Sequence, residues 1–216
     1  MSAKTDILAN VRASLERSQQ GPAELPHRDY RCEGEHAPGS QPVIDEFADA
    51  LRDYKAKVTI VPRAEIPRAI AEYLAPLTSV VVPTGLDPEW IEAARGDGRE
   101  VTIDDPDHPT PHLTLNEIDA VVTASRVAVS GTGSIVLDGT PDQGRRALTL
   151  IPDTHVVVVE AATVQPTTPQ AIAILGEHPT RPITWIAGPS ATSDIELVRV
   201  DGVHGPRNLL VVIATD

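Results

Sequence analysis

The chain has 216 residues, with 18 Lys plus Arg against 31 Asp plus Glu and a formal net charge of −13. That length suits one domain with a substantial core plus an extension, and is too short for two ordinary enzyme domains. The charge repels nucleic-acid phosphates and anionic headgroups, so partners are expected among proteins and small molecules, and an anionic ligand must find a local cluster of basic groups.

Met1-Ser2-Ala3-Lys4 does not open a basic segment followed by an apolar one. No later stretch reaches the roughly 18 apolar residues of a membrane span, so a cytoplasmic protein without a span is expected. Cys32 is the only cysteine. An internal disulfide framework and a cysteine-ligated iron–sulfur cluster within one chain are thereby excluded.

Ile7, Leu8, Val11 and Leu15 share one face at helical spacing and predict an amphipathic helix. Residues 20–42 are rich in Pro, Gly, His and charge with no period, which reads as a linker or arm. Residues 1–42 are therefore expected to be a helix on a tether, and residues 43–216 the domain. Its apolar runs predict helices over 43–51, 66–74 and 88–95, alternating with strands over 58–61, 80–82 and 101–103. Short Val/Ile runs between helices indicate a parallel sheet covered on both faces. Val121–Thr123, Val127–Val129 and Ile135–Leu137 then follow with short polar or Gly-rich connections, suited to antiparallel hairpins. A strand over 156–159, a helix over 169–175 and strands over 183–187 and 209–213 complete an α/β fold with a mixed, mainly parallel sheet flanked by helices.

Ser130-Gly131-Thr132-Gly133-Ser134 matches neither glycine-rich phosphate template, because no Gly-Lys-Ser/Thr follows and the next element is a strand. It reads either as a hairpin needing positive φ or as a ligand edge using Thr132 and Ser134. The Asp104–His112 stretch holds metal-ligand residue types, but Pro109 and Pro111 keep His108 and His112 off a common helical face. A solvated acidic loop is the plainer reading, and no metal site is expected. Arg145 and Arg146 form a pair suited to gripping a carboxylate or phosphate, with surface salt bridges as the alternative, and Arg146 is favoured.

Two loops near the C-terminus draw most interest. Gly188-Pro189-Ser190-Ala191-Thr192-Ser193-Asp194-Ile195-Glu196 contains a Ser193/Glu196 capping box, a helix start whose backbone N–H groups could hold an anion. Gly202-Val203-His204-Gly205-Pro206-Arg207 offers an imidazole for proton exchange and a guanidinium on a stiffened loop. In the bland reading His204 bonds a carbonyl and Arg207 pairs with Asp194 or Glu196. Ser190, Thr192, His204 and Arg207 are expected to converge on one pocket, with Arg146 and Thr132 on its rim. Asp194 and Glu196 join Ser134 as further candidate ligand contacts.

From about Ile44 to Val212 the order of the Thr-Gly hairpin, the Arg pair, Leu150-Ile151-Pro152 before the strand His155 to Val159, and the two C-terminal loops resembles the lactate utilization protein C family, the LUD domain. The family often reads Ala-Glu-Thr-Gly at the hairpin, where this chain has Ser130-Gly131-Thr132-Gly133. The resemblance implies a phosphosugar-isomerase and coenzyme-A-transferase-like fold. It also implies a part in oxidising L-lactate to pyruvate alongside iron–sulfur partner subunits. With one cysteine, no dinucleotide fingerprint and few aromatic residues, the chain is expected to be a non-redox accessory subunit without a cofactor of its own, binding a small anion. The alternative is a stand-alone enzyme of the fold's wider group acting on a carboxylate, acyl or phosphorylated substrate, with His204 as acid–base.

Overall fold

The computed structural model describes residues 3–17, 24, 26–27, 29–96, 98–192, 200–201 and 204–216. The chain divides into two units, Met1–Tyr30 and Arg31–Asp216. In the first, α1 (Ala3–Arg17) carries Asp6 in its first turn and Arg17 in its last, the placement a helix dipole favours. None of its residues is buried; Ile7 and Leu15 are 62% and 67% exposed. Removing residues 1–30 is therefore expected to leave the thermal midpoint of the remainder within about 2 °C, and a fall of more than roughly 10 °C would place the helix in the core. Removing residues through 40 should cost more. The Gly39 N–H donates to Val164 O at 3.0 Å, and Gly34 lies against the Pro166 ring.

In the second unit α2 (Gln41–Asp53) begins with Pro42 in its first turn, where a missing N–H costs nothing, and buries Val43, Ile44, Phe47, Ala48 and Leu51 along one stripe. Strand β1 (Lys57–Pro62), α3 (Ile66–Leu74), β2 (Ser79–Pro83), α4 (Pro88–Arg95) and β3 (Glu100–Asp104) follow within two residues of the predicted spans. Helix α4 is capped by Asp87, whose carboxylate accepts the Glu89 N–H at 2.9 Å. Next come α5 (His112–Leu115), β4 (Ala120–Thr123), β5 (Val127–Val129), β6 (Ser134–Leu137), β7 (Thr154–Glu160), β8 (Val164–Gln165) and α6 (Thr168–Leu175). The chain closes through β9 (Thr184–Ile186), β10 (Ala191–Thr192), β11 (Val200–Asp201) and β12 (Asn208–Thr215).

Six strands pair in the order β1-β12-β7-β4-β2-β3, all parallel. Their side chains alternate between two cores, as a period of two requires. Val156, Val158, Leu210 and Val212 face α3 and α4, where Ile66, Ile70, Leu74 and Trp90 cover them. Val157, Val159, Leu209, Val211 and Ile213 face Phe47 and Leu51 of α2 together with Ala128 and Ile135. Those last two belong to a second sheet, β8-β5-β6-β9, whose far side carries Val127, Val129 and Val136 against Ala171 and Leu175 of α6. The layers are thus helix, parallel sheet, then α2 with a small mixed sheet, then helix.

The predicted α/β class, mainly parallel and flanked by helices, is the observed one, with three differences of detail. The antiparallel pairing of β5 with β6 sits in its own sheet rather than in the middle of the parallel one. Val121–Thr123 is not a hairpin partner of Val127–Val129; it lies between β7 and β2, and residues 124–126 carry the chain across to the second sheet. The run 183–187 looks like core in sequence, yet β9 is an edge strand with Ile183 and Trp185 38% and 42% exposed, while β12 lies between β1 and β7. Gly133 adopts φ 58°, as the hairpin requires, and a Cβ there would come within 3.1 Å of Ala50 in α2.

Candidate functional site

A cavity of about 320 Å³ opens at the amino ends of β7 and β12. Three segments wall it: the 3-10 turn Arg146–Thr149, the end of β9 continuing to Ser190, and His204 to Pro206. The two C-terminal loops are tied to each other. Ser190 N–H donates to Pro206 O at 2.8 Å, and His204 N–H donates to Ser190 Oγ at 3.2 Å. Gly188, at φ 80°, makes the bend that brings Ser190 back over β12, and a Cβ there would lie 2.6 Å from Tyr54 Cβ.

Ser190, His204 and Arg146 therefore meet, as the sequence suggests. Arg146 is exposed and has no ion pair or hydrogen bond from its guanidinium to any described residue. Its neighbour Arg145 differs sharply: Nε and Nη2 grip the two oxygens of Asp104 at 2.9 and 3.0 Å, and Nη2 also bonds Thr110 O. Of the adjacent pair, one is spent on structure and one faces the cavity.

Three other candidates lie elsewhere. Arg207 does not enter the cavity wall; it pairs through Nε and Nη2 with both oxygens of Asp153, which also holds its pKa above the usual value. That partner replaces the Asp194 or Glu196 considered from sequence. Thr132 and Ser134 sit in the hairpin beside α2, where the Thr132 hydroxyl donates to Ser134 Oγ at 2.9 Å. Asp194 and Glu196, with the Ser193 capping box, lie outside the described residues, as does the side chain of Thr192, whose backbone pairs with Val200. Asp104 is not part of a solvated loop: it is 3% exposed and clamps Arg145. Among the described residues there is no group of three or more His, Cys, Asp or Glu arranged to hold a metal ion.

His155 was not singled out by sequence. It is the second residue of β7, 1% exposed, lines the cavity, and has Nε2 2.8 Å from Thr123 Oγ1. Burial pushes its pKa down from 6.5 to about 3, so the ring is neutral at physiological pH. The one available signal was a polar residue heading the apolar run Val156–Val159. A neutral buried histidine makes folding proton-linked: between pH 6.5 and 3 the unfolded chain binds a proton the folded chain does not. This contribution to stability is fully present above pH 6.5 and declines as pH falls. Denaturant titrations at pH 7 and 4.5 should show a smaller acid loss for His155→Leu than for the unsubstituted protein; equal losses would mean that the ring is hydrated.

A second hollow of about 550 Å³ lies at the carboxyl ends of β2 and β3, lined by Pro83, Thr84, Asp104, Pro106, Pro141 and Arg145 among others. Its cation is already neutralised by Asp104. Of the two, the first cavity is suited to an anion: its Arg146 guanidinium is unpaired among the described residues, and it offers the Ser190 and Thr184 hydroxyls, an exposed imidazole at His204 and a buried neutral one.

The LUD domain profile matches residues 44–214. This chain belongs to the LUD domain family. Within it, lactate utilization protein C of Deinococcus radiodurans is 44% identical over 173 residues, covering 79% of each chain. Lactate utilization protein C of Bacillus subtilis is 31% identical over 101 residues, or 44% of this chain and 42% of that one. A crystal structure of a DUF162 family protein from Deinococcus radiodurans superposes with a TM-score of 0.69 at 38% identity, covering 81% of this chain and 97% of that chain. The LUD match runs from α2 through β12, so all segments walling the cavity fall inside it. No helix among the described residues is long and apolar enough to cross a membrane.

Proposed function

We propose that this LUD domain protein serves a lactate-utilisation system as a non-redox accessory subunit that binds a small anion in the Arg146 cavity. The relatives named lactate utilization protein C support the system. The observation that carries the binding role is the Arg146 guanidinium, unpaired among the described residues and grouped with Ser190 and His204 around a cavity of small-molecule size. In a chain with net charge −13, an arginine beside hydroxyls and without a carboxylate partner among the described residues is the local exception that an anionic ligand needs. The non-redox reading rests on composition: one cysteine, 3% aromatic residues and no dinucleotide fingerprint leave little with which to hold a cluster or flavin. Partner subunits with iron–sulfur clusters would then supply the electron-transfer step.

The full-length tagged chain, recovered from cells grown on L-lactate, is expected to bring down iron–sulfur proteins and, purified alone, to be colourless. Calorimetric titration of the purified chain with butanoate and with inorganic phosphate is expected to show saturable binding of at least one. A stoichiometric visible chromophore would overturn the non-redox assignment, and absence of saturable binding would overturn the anion site.

A further inference from the structure

The hollow of about 550 Å³ at the carboxyl ends of β2 and β3 lies where the connections of the parallel sheet diverge. From β2 the chain turns to α4, whose Trp90 and Ala94 pack with Val80 and Val82 on one face; from β3 it turns to α5, whose Leu115 packs with Val81 on the other. Connections that part to opposite faces leave a crevice between neighbouring strand ends, a place where open α/β sheets hold ligands. The walls of this crevice are fixed. Gly85 N–H donates to Pro141 O at 3.0 Å, Ala124 N–H donates to Asp142 O at 3.1 Å, and a Cβ on Gly144 would come within 3.0 Å of Pro83 Cβ. Pro83, Pro106, Pro141 and Pro182 supply apolar ring faces of set shape, so little side-chain entropy is lost when a molecule settles on them.

The charges in the wall are matched to each other. Arg145 holds both oxygens of Asp104 through Nε and Nη2. An anion would have to draw Arg145 away from a carboxylate that is 3% exposed, and a cation would have to draw Asp104 away from Arg145; either leaves a charge without its counter-ion. The oxygens of Asp104 also accept the Thr110 N–H, whereas Nη1 of Arg145 has no partner among the described residues. A guanidinium nitrogen only donates, so the ligand atom that complements it is an acceptor.

We propose that this hollow is a second ligand site, for a small uncharged molecule that lays an apolar ring against the prolines and sets a carbonyl oxygen on Arg145 Nη1. It does not depend on the Arg146 anion site.

Calorimetric titration of the full-length chain and of its Arg146→Ala variant with acetophenone, aniline and benzoate tests this, the variant removing the other place for an anion. Aniline presents donors on the ring where acetophenone presents a carbonyl, and benzoate adds a charge. Acetophenone is expected to bind both proteins equally, with a Kd on the order of 1 mM for so small a molecule. It should bind roughly tenfold more tightly than aniline, as one hydrogen bond to a charged group implies, and more tightly than benzoate binds Arg146→Ala. Thr84→Phe, which fills the hollow from an exposed position, should abolish acetophenone binding. If that variant does not fold, shifts of the Thr84, Thr140 and Arg145 backbone N–H resonances on adding acetophenone to the 15N-labelled chain locate the site in its place. Absence of saturable acetophenone binding, binding that Thr84→Phe leaves intact, or shifts that miss those three residues overturn the site. Equal or tighter binding of aniline, or of benzoate to Arg146→Ala, overturns the ligand class.

Discussion

Arg145→Ala is expected to cost about 3–5 kcal/mol of folding stability, because it leaves a buried carboxylate without its counter-ion. Asp104 ends β3 at 3% exposure; beyond the two bonds from Arg145, it accepts the Thr110 N–H at 2.8 Å. Asp104→Ala should cost less, about 1–3 kcal/mol, since the Arg145 head is 28% exposed and can turn toward water. Burial opposes ionisation of Asp104, but the Arg145 fork and the Thr110 N–H outweigh it, so the pKa lies below its usual 3.8. The sign follows from linkage: the contribution is present above pH 3.8 and is lost as pH falls through the lower folded value. Urea unfolding of the two single variants at pH 7, with acid titration of the unsubstituted protein, checks both statements. A loss below about 1 kcal/mol for Arg145→Ala would mean that water reaches the carboxylate.

Arg146→Ala, one residue along, should do the reverse: hardly change stability, yet weaken binding of a small carboxylate by about 1.5–3 kcal/mol, or roughly 10- to 150-fold. The side chain is exposed and unpaired among the described residues, so its removal breaks no ion pair or side-chain hydrogen bond with them. Arg207→Ala should leave anion affinity nearly unchanged, against the expectation from sequence, because Asp153 already occupies the two guanidinium nitrogens that would grip a ligand. Parallel calorimetric titrations of the two variants with the same acid separate the roles. Should Arg207→Ala lose as much affinity as Arg146→Ala, the bound anion sits over the Asp153 pair instead of in the cavity.

The contrast between these arginines shows why the site was only partly legible. In sequence Arg145, Arg146 and Arg207 are three basic residues beside Gly/Pro turns, with only a slight preference for Arg146 over its neighbour as the one to hold an anion. Which is available depends on whether a carboxylate lies within reach. Those carboxylates, Asp104 and Asp153, are 41 and 54 positions away along the chain. The meeting of Ser190 with His204 was more readable, since both flank strands and stand only 14 positions apart. His155 escaped notice for the opposite reason. A histidine heading a valine run looks like a strand boundary until the neighbouring strand supplies Thr123 and the cavity supplies an open side.

What the chain alone determines is local. Apolar spacing placed α2, α3, α4 and α6 and the valine-rich strands, because burial of one helix stripe or of both strand faces is encoded in the period of the side chains. It also determined the α/β class, because short apolar strands joined through helices have few other ways to pair. Only the tertiary structure decided that β5 and β6 leave the parallel sheet for a sheet of their own, that β9 is an exposed edge and that β12 is central. Strand order and partner choice depend on contacts between residues far apart in sequence. The same long-range contacts sort one arginine into the fold and leave its neighbour facing the cavity.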